Sequence, residues 1–241
     1  MNANGRYPAD INAIVSFCKE NNLILLEDSA QALGSFYPDG IHQGRKGIAG
    51  SFSFSAPKII STGQGGAIIT DDDEMAFNIS RLKDFGRSGG GNDIHEVIGY
   101  NFKFTDLQAV IGNVQMSKLD WRMNRMKEIY NLYKKNLSQT SKVKFFDQDL
   151  DNTTPWFIDV KVKEREGLML FLKSKGIGSR IMYPPINKQL AYNVEGEHVV
   201  SNEIGLSGLW LPSSSKLTDE QIDYICSNIN EFYTNHFKNG L

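Results

Sequence analysis

The feature that most constrains the fold is a short apolar run that ends abruptly in polar residues. Residues 23–27 (LILLE) are continuously apolar up to the final glutamate, a pattern typical of a strand buried on both faces of a sheet. Asp28 follows directly, and open α/β sheets bind their ligands beyond the carboxyl ends of the strands. The sequence therefore predicts an α/β fold with a candidate binding position at Asp28. An aspartate in this place also commonly caps the turn that follows, and this second interpretation stays open.

Helix and strand patterns alternate through the first half of the chain, which is typical of a mainly parallel sheet. The helices predicted here cover residues 10–22, 72–85 and 105–116, and the strands cover residues 51–55 and 66–70. A mobile, glycine-rich loop is predicted at residues 86–99.

A long helix predicted at residues 118–136 separates this half from a different pattern. Beyond it, the predicted strands cover residues 156–162, 177–183 and 209–211, and the predicted helices cover residues 165–175 and 218–237. This second pattern indicates a small α+β unit. The sequence therefore predicts two domains, residues 1–117 and residues 118–241.

Charge and cysteine content exclude several classes of protein. The 26 basic residues nearly balance the 28 acidic ones, so no basic surface points to nucleic acid as a partner. No apolar run reaches the roughly 18–20 residues that cross a bilayer, and the amino terminus lacks the apolar core of a signal peptide. Cys18 and Cys226 lie far apart, without the spacing of a disulfide framework or a metal site. These observations predict a soluble cytoplasmic protein that uses neither a metal nor a membrane.

A single lysine follows the predicted strand at residues 51–55. The segment reads SFSFSAPK up to Lys58 and continues into a TGQGG turn at residues 62–66. A desolvated lysine can act as a nucleophilic amine that forms Schiff bases. Considered alone, a lysine at this place is more often an ordinary exposed lysine in a turn. The glycines either make a tight turn or allow a ligand to approach the backbone.

A third polar segment, GYNFKFTDLQ, precedes the predicted helix at residues 105–116. Asn101, Lys103 and Thr105 lead into the amino terminus of this helix, where anions are favoured. The alternative interpretation is structural: Thr105 caps the helix and Asn101 makes a turn.

Taken together, these segments resemble one protein family. EDSAQALGS, GSFSFSAPKIISTGQGGAIIT, GYNFKFTDLQAVIGNVQMSKLD, RIMYPPINKQ and LPSSSKLTDEQI are similar to segments of the DegT/DnrJ/EryC1/StrS family of sugar aminotransferases. The resemblance implies a pyridoxal-phosphate enzyme of the aspartate-aminotransferase fold, fold type I. Residues 1–117 are then the carboxyl-terminal part of the cofactor-binding large domain, and residues 118–241 are the long connecting helix and the small domain.

The resemblance also assigns roles to individual residues. Lys58 is implied to be the Schiff-base lysine that holds the cofactor and moves the proton, and Asp28 is implied to pair with the pyridine nitrogen. Gln31 is implied to contact the phenolic oxygen of the ring, and Ser53 to bind the phosphate. Asn101 is implied to reach the phosphate site of a neighbouring subunit, which makes the protein a homodimer with shared active sites.

The implied reaction is amino transfer, with glutamate as the donor, to a keto-sugar nucleotide that feeds lipopolysaccharide O-antigen or another surface polysaccharide. Within the family, the YPPIN segment that begins at Tyr183 is similar to perosamine-type synthases, which act on GDP-4-keto-6-deoxymannose. Members that act as sugar 3-dehydratases carry histidine at the position of Lys58, so that activity is disfavoured. Lys103 stands where the family more often has arginine, which keeps the charge and loses the planar fork.

Family members are longer by roughly a third to a half. The part without a counterpart here carries a Gly-Thr turn that binds the cofactor phosphate, an aromatic residue that stacks on the ring, and the first strand of the sheet. The alternative interpretation is therefore that this chain is an inactive remnant, or a subunit that needs a separate amino-terminal half.

Overall fold

A computed structural model describes residues 7–89, 93–192 and 195–238. The described chain forms two compact units. One unit comprises residues 7–123 together with the returning segment Asp149–Trp156, and the other comprises residues 124–148 and 157–238. The two-domain prediction placed the returning segment with the second region, so its position in the first unit is a finding that the sequence did not indicate.

The first unit contains three helices, three strands and the start of a fourth helix. The helices are α1 (Ile11–Glu20), α2 (Asp73–Lys83), α3 (Asp106–Met116) and α4 (Leu119–Asn136), which continues into the second unit, and the strands are β1 (Leu26–Asp28), β2 (Ala49–Ser53) and β3 (Gly66–Thr70). Local hydrogen bonds start two of the helices: Asp10 accepts from the Ala13 N–H at 3.1 Å and Asp72 from the Met75 N–H at 2.7 Å. The described residues of the predicted loop at 86–99 contain neither helix nor strand, and residues 90–92 of this loop lie outside the described residues.

The sheet of the first unit has the order β1-β2-β3 and is mixed. Strands β1 and β2 run parallel, with Asp28 beside Ser51, whereas β2 and β3 run antiparallel, with Ser53 beside Gly66. The α/β class is confirmed, but one of the two strand pairs departs from the expected parallel arrangement. The physical reason is the connection: residues 54–65 fold back as a hairpin loop, because the Phe54 N–H donates to the Gly65 carbonyl at 2.8 Å directly after the last β2–β3 pair.

The apolar run at residues 23–27 is less buried than its sequence predicts. Only Leu26–Asp28 pair as a strand, and the side chains of Leu23, Ile24 and Leu26 are exposed. Glu27 is the buried residue of this segment, at 3% exposure. The expectation of a strand covered on both faces is therefore wrong for the part of the chain described here, because no described element covers these side chains.

The second unit is a four-stranded antiparallel sheet packed with helices. Its strand order is β4-β5-β7-β6, and its elements are β4 (Val143–Phe145), β5 (Ile158–Val162), α5 (Arg165–Ser174), β6 (Arg180–Ile181), a 3-10 turn (Ile186–Lys188), α6 (Val199–Ser207), β7 (Gly208–Leu211) and α7 (Asp219–Lys238). Strand β4 and helix α6 were not predicted, and the predicted strand at residues 177–183 is reduced to two residues. The core contains fully buried side chains from β5, β7, α5 and α7, among them Ile158, Leu209, Leu172 and Ile222.

Candidate active site

The segment that carries the candidate site is anchored by a buried carboxylate. The Glu27 side chain accepts the N–H groups of Gly44 at 2.8 Å, Lys46 at 2.5 Å and Gly47 at 2.6 Å, together with the Tyr37 hydroxyl at 2.5 Å. These bonds compensate for the burial of the charge. Burial, and secondarily the hydrogen bond from its own hydroxyl to Glu27, raises the pKa of Tyr37 well above its ordinary value. Glu27 thereby fixes the irregular crossover between β1 and β2. This crossover starts directly after Asp28 and contains Gln31.

Asp28 ends β1 and is exposed. Its Oδ1 atom accepts the Ala30 N–H at 3.1 Å, so the capping role that the sequence left open is present in the structure. Asp28 lines a hollow of about 690 Å³ between the sheet and α2. A different set of residues lines the cleft that contains Gln31, Ser53 and Lys58.

Gln31, Ser53 and Lys58 line one narrow cleft together with Thr154 and Trp156. The free volume in this cleft is about 10 Å³, room for about one water molecule, so the side chains already pack against one another. The structure thus brings together a predicted amide, a hydroxyl and an amine from three separate segments. Asp28 and Asn101 are not among the residues that line this cleft.

The polar groups in this cleft fit the chemistry of a cofactor that carries phenolic and phosphate oxygens. The Gln31 Oε1 atom is buried and has no hydrogen-bond partner among the described residues, although buried polar atoms are nearly always paired in native proteins. The donor that this amide offers to a phenolic oxygen is its Nε2 group. The Ser53 hydroxyl lies 3.1 Å from the Ser55 hydroxyl and accepts the Ser55 N–H at 3.4 Å. The Ser53 hydroxyl, the Gln31 amide and the Lys58 amine form a donor set that suits pyridoxal phosphate.

Lys58 packs against an aromatic side chain that the sequence did not single out. Its ammonium lies 4.3 Å from the centroid of the Trp156 ring. The Trp156 indole N–H donates to the Pro57 carbonyl at 2.7 Å. Trp156 was predicted as the first residue of a strand, but β5 starts at Ile158. No short-range pattern could have found this contact, because it joins distant parts of the chain.

The segment that carries Trp156 is tied to the loop after Gln31. The Phe36 N–H donates to the Asn152 carbonyl at 2.8 Å, and the Thr154 N–H donates to the Ser35 hydroxyl at 3.0 Å. The Thr154 hydroxyl donates to the Gly34 carbonyl at 3.0 Å. We call residues 149–156 the return segment. It closes one side of the cleft.

The glycines after Lys58 serve the turn itself. Gly63 has a φ of +81°, a conformation that favours glycine. A Cβ atom on Gly65 would lie 2.4 Å from the Phe104 ring, so packing also requires glycine there. The Thr62 hydroxyl closes the turn by donating to the Gln64 carbonyl at 2.8 Å. Of the two interpretations of these glycines, the structure supports the tight turn.

Asn101 lies in an exposed part of the first unit, where it forms an isolated β-bridge with Asp84. The Asp84 carboxylate pairs with Arg87 at 2.7 Å and with Lys103 at 3.1 Å. The hydrogen bond from Arg87, followed by the one from Lys103, holds the pKa of Asp84 below its ordinary value. Thr105 begins α3 with a capping box that includes Gln108, as the structural interpretation of this segment predicted.

Tyr183 lies in the second unit. It is exposed, and its ring packs edge-on against Trp210 with the centroids 4.9 Å apart. No group of three or more histidine, cysteine, aspartate or glutamate side chains among the described residues could hold a metal ion. No described helix is both long and apolar enough to span a bilayer.

Comparison with known proteins identifies the class. The family model of the DegT/DnrJ/EryC1/StrS aminotransferase family matches residues 3–230 of this chain. The chain belongs to this family, which confirms the resemblance that the motifs indicated.

Three individual proteins of known name are similar to this chain over most of its length. The chain is 34% identical over 232 residues to GDP-perosamine synthase of Escherichia coli O157:H7, a match that covers 95% of this chain and 63% of that protein. It is 28% identical to GDP-perosamine synthase of Vibrio cholerae, covering 93% of this chain and 63% of that protein. Among solved structures, the aminotransferase TlmJ from Streptoalloteichus hindustanus matches with a TM-score of 0.88 and 27% identity, covering 98% of this chain and 65% of that chain.

These comparisons confirm the predicted fold type and, at the level of the family, the predicted cofactor. A Bacillus subtilis relative, EpsN, 27% identical over 224 residues, is named a putative pyridoxal phosphate-dependent aminotransferase; the match covers 88% of this chain and 57% of that protein. The chain spans about 63% of the length of the GDP-perosamine synthases that it matches.

Proposed function

We propose that this chain takes part in the pyridoxal-phosphate-dependent transfer of an amino group to a keto-sugar nucleotide. The observation that carries the proposal is the cleft in which Gln31, Ser53 and Lys58 meet. The identity of 34% to a GDP-perosamine synthase supports a sugar nucleotide as the substrate class.

Each candidate site residue has a role that follows from the chemistry of its side chain. With pyridoxal phosphate bound, the Lys58 amine would anchor it and would move a proton to and from the amino-bearing carbon. The Asp28 carboxylate would pair with the pyridine nitrogen, Gln31 would contact the phenolic oxygen and Ser53 would bind the phosphate. Bound pyridoxal phosphate supplies the electron sink that stabilises negative charge on the amino-bearing carbon.

The amino sugar formed in this reaction serves surface polysaccharide synthesis in the cytoplasm, with glutamate as the donor and O-antigen as one destination. Support comes from a relative in Salmonella typhimurium that is named a lipopolysaccharide biosynthesis protein, RfbH. It is 27% identical over 254 residues, covering 90% of this chain and 58% of that protein.

The active form is a homodimer in which Asn101 of one copy completes the phosphate site of the other. Helix α3 supports this part of the proposal, because none of its residues is buried within the described chain. Its exposed apolar side chains follow the spacing of one helical face, at Leu107, Val110, Ile111 and Val114. An apolar stripe of this kind, close in sequence to Asn101, suits a contact between two copies.

A second candidate function has its own observation. The hollow of about 690 Å³ beside β1 exposes the apolar side chains of Leu26, Ile68 and Leu82. Relatives contain further sequence equal to more than a third of their length. We propose that a polypeptide equivalent to this further sequence covers these three apolar side chains in the active enzyme. The chain alone is then a subunit that depends on such a partner, or an inactive remnant when the partner is missing.

The test of the main function is the covalent capture of the cofactor. Pyridoxal phosphate is added to the parent protein, to Lys58→Ala and to Lys134→Ala, each with the amino-terminal segment of the Escherichia coli relative supplied. After borohydride reduction, peptide mass spectrometry should find the adduct on Lys58 in the parent and in Lys134→Ala, and no adduct at this site in Lys58→Ala. Labelling of Lys58 no greater than that of Lys134 in the parent would exclude Lys58 as the cofactor lysine.

A further inference from the structure

We propose that Trp156 is a positioning residue for Lys58: its indole ring holds the lysine ammonium at the cleft that contains Gln31 and Ser53. This inference rests on the proposed function, because the role of Lys58 defines what is being positioned. Neither the motifs of the sequence nor the names of the relatives assign a role to Trp156.

The first argument is geometric. The Lys58 ammonium lies 4.3 Å from the Trp156 ring centroid, well within the roughly 6 Å over which a ring attracts a cation, and tryptophan provides the strongest such attraction. Trp156 is only 9% exposed, so this contact is largely shielded from water. Shielding strengthens the attraction.

The second argument concerns what holds the ring. The indole N–H donates at 2.7 Å to the carbonyl of Pro57, the residue directly before Lys58. One side chain therefore contacts both the backbone that carries the lysine and the far end of the lysine side chain. The same indole group therefore restrains both ends of the flexible four-carbon side chain of Lys58: the backbone at Pro57 and the ammonium.

The third argument concerns the other half of the cleft. Thr154, two residues before Trp156, is buried and bonds to Ser35 and Gly34 in the loop that follows Gln31. The return segment consequently links the lysine to the loop that provides the amide. A displacement of this segment would change the position of the Lys58 amine relative to Gln31.

The ring also distinguishes the two protonation states of the lysine. A ring quadrupole attracts the ammonium and has little attraction for the neutral amine. Among the residues that line the cleft, Lys58 is the only one with an acidic or basic side chain. Strand β1, which pairs with β2, contains two carboxylates, Glu27 and Asp28. Glu27 is occupied by its own hydrogen bonds, and the effect of Asp28 is measured with Asp28→Asn.

The experiment uses the chain without added cofactor. Acetic anhydride is applied over a range of pH, and peptide mass spectrometry gives the labelling rate and the pH midpoint for each lysine in the parent, Trp156→Phe and Trp156→Leu. We expect Trp156→Leu to lower the midpoint of Lys58 and to raise its labelling at neutral pH by about 3- to 30-fold. Trp156→Phe, which keeps a ring, should retain most of the parent midpoint.

Lys134 is the internal comparator, because its ammonium lies 5.8 Å from the Tyr130 ring and away from the substitution; its midpoint should stay constant. Greater accessibility alone would raise the rate for Lys58 at every pH and leave its midpoint in place. An unchanged midpoint in Trp156→Leu, or an equal shift in Trp156→Phe, overturns the proposal.

A measurement on the parent protein covers the case in which Trp156→Leu does not fold. In its NMR spectrum, the ε-methylene protons of Lys58 should be shifted upfield by the indole ring relative to those of exposed lysines, and an ordinary shift contradicts the contact. Both measurements need no cofactor. A protein that shows the Trp156 effect but forms no borohydride-stable adduct on Lys58 would therefore contradict the proposed function, whereas the reverse result would contradict only the role of Trp156.

Discussion

The sheets of the two units differ in how completely the described chain covers them. All four residues of β7 are buried in the second unit, whereas the apolar side chains of Ile68 and Ile69 on β3 of the first unit are exposed. Helices α2 and α3 of the first unit contain no buried residue, whereas α5 buries Leu168 and Leu172. The difference teaches that the second unit buries its own core, while the first leaves apolar side chains exposed in the described chain. The candidate cleft lies in the first unit.

The largest effect that we expect comes from adding a polypeptide that covers the exposed apolar side chains of the first unit. The cofactor phosphate is a dianion. The resemblance implies that part of its binding site belongs to the region of the family members that has no counterpart in this chain. Each charge-assisted hydrogen bond contributes about 1.5–3 kcal/mol, so the loss of two of them weakens binding by roughly 10²–10⁴-fold. We therefore expect amino transfer from glutamate to GDP-4-keto-6-deoxymannose to rise by a similar factor when the amino-terminal segment of the Escherichia coli relative is co-expressed.

The control for this experiment is the same segment co-expressed with Lys58→Ala, which should remain inactive. Full activity of the chain alone would show that the first unit needs no further polypeptide. It would also remove the reason for proposing a polypeptide that covers the apolar side chains beside β1.

The reactivity of the two cysteines compares the burial of one side chain in each unit. Burial raises the pKa of the Cys226 thiol in α7 to about 12, whereas Cys18 in α1 is partly exposed. Near pH 8 the thiolate fraction of Cys226 is therefore roughly 10³-fold below that of an ordinary thiol, so Cys226 should react more slowly. We expect Cys18 to react with a disulfide reagent at least 100-fold faster than Cys226, as followed by absorbance with Cys18→Ser as the reference. Comparable rates would show that the second unit is not closed around α7.

A matched pair of substitutions compares the stability contribution of one strand from each unit. Leu209 in β7 is fully buried and Ile68 in β3 is 54% exposed. We expect Leu209→Ala to lower the free energy of unfolding by about 2–5 kcal/mol, because the substitution leaves a cavity. Ile68→Ala should change it by less than about 1 kcal/mol. Urea unfolding measures both, and equal losses would contradict the difference in coverage.

The smallest effect that we expect concerns association. Val110→Lys places a charge in the apolar stripe of α3, and Leu170→Lys makes the same change at an equally exposed apolar position on α5. If α3 forms the contact between copies, Val110→Lys should weaken dimerisation by about tenfold or more in sedimentation equilibrium, since an unpaired charge is costly to desolvate. Leu170→Lys should have no effect on it. A parent protein that is monomeric at all concentrations would exclude the shared site.

Local patterns predicted the elements well wherever short-range bonds decide them. Asp10, Asp72 and Thr105 each accept an N–H three residues further along, so the starts of α1, α2 and α3 follow from neighbouring residues alone. Strand lengths were predicted less well. The segment at residues 177–183 retains only Arg180–Ile181 as strand, because pairing with β7 limits its length.

The candidate site divides in the same way. The residues of the sequence by themselves determined the family and, through its motifs, the identities of Asp28, Gln31, Ser53, Lys58 and Asn101 as candidates. Tertiary structure decided which of them meet: Gln31, Ser53 and Lys58 share a cleft, and Asp28 lines a separate hollow. It also decided that Trp156 lies over Lys58 and that Glu27 is an internal anchor rather than the end of an apolar run. The reason is physical: a helix cap spans three residues, whereas these contacts depend on chain segments that only folding brings together.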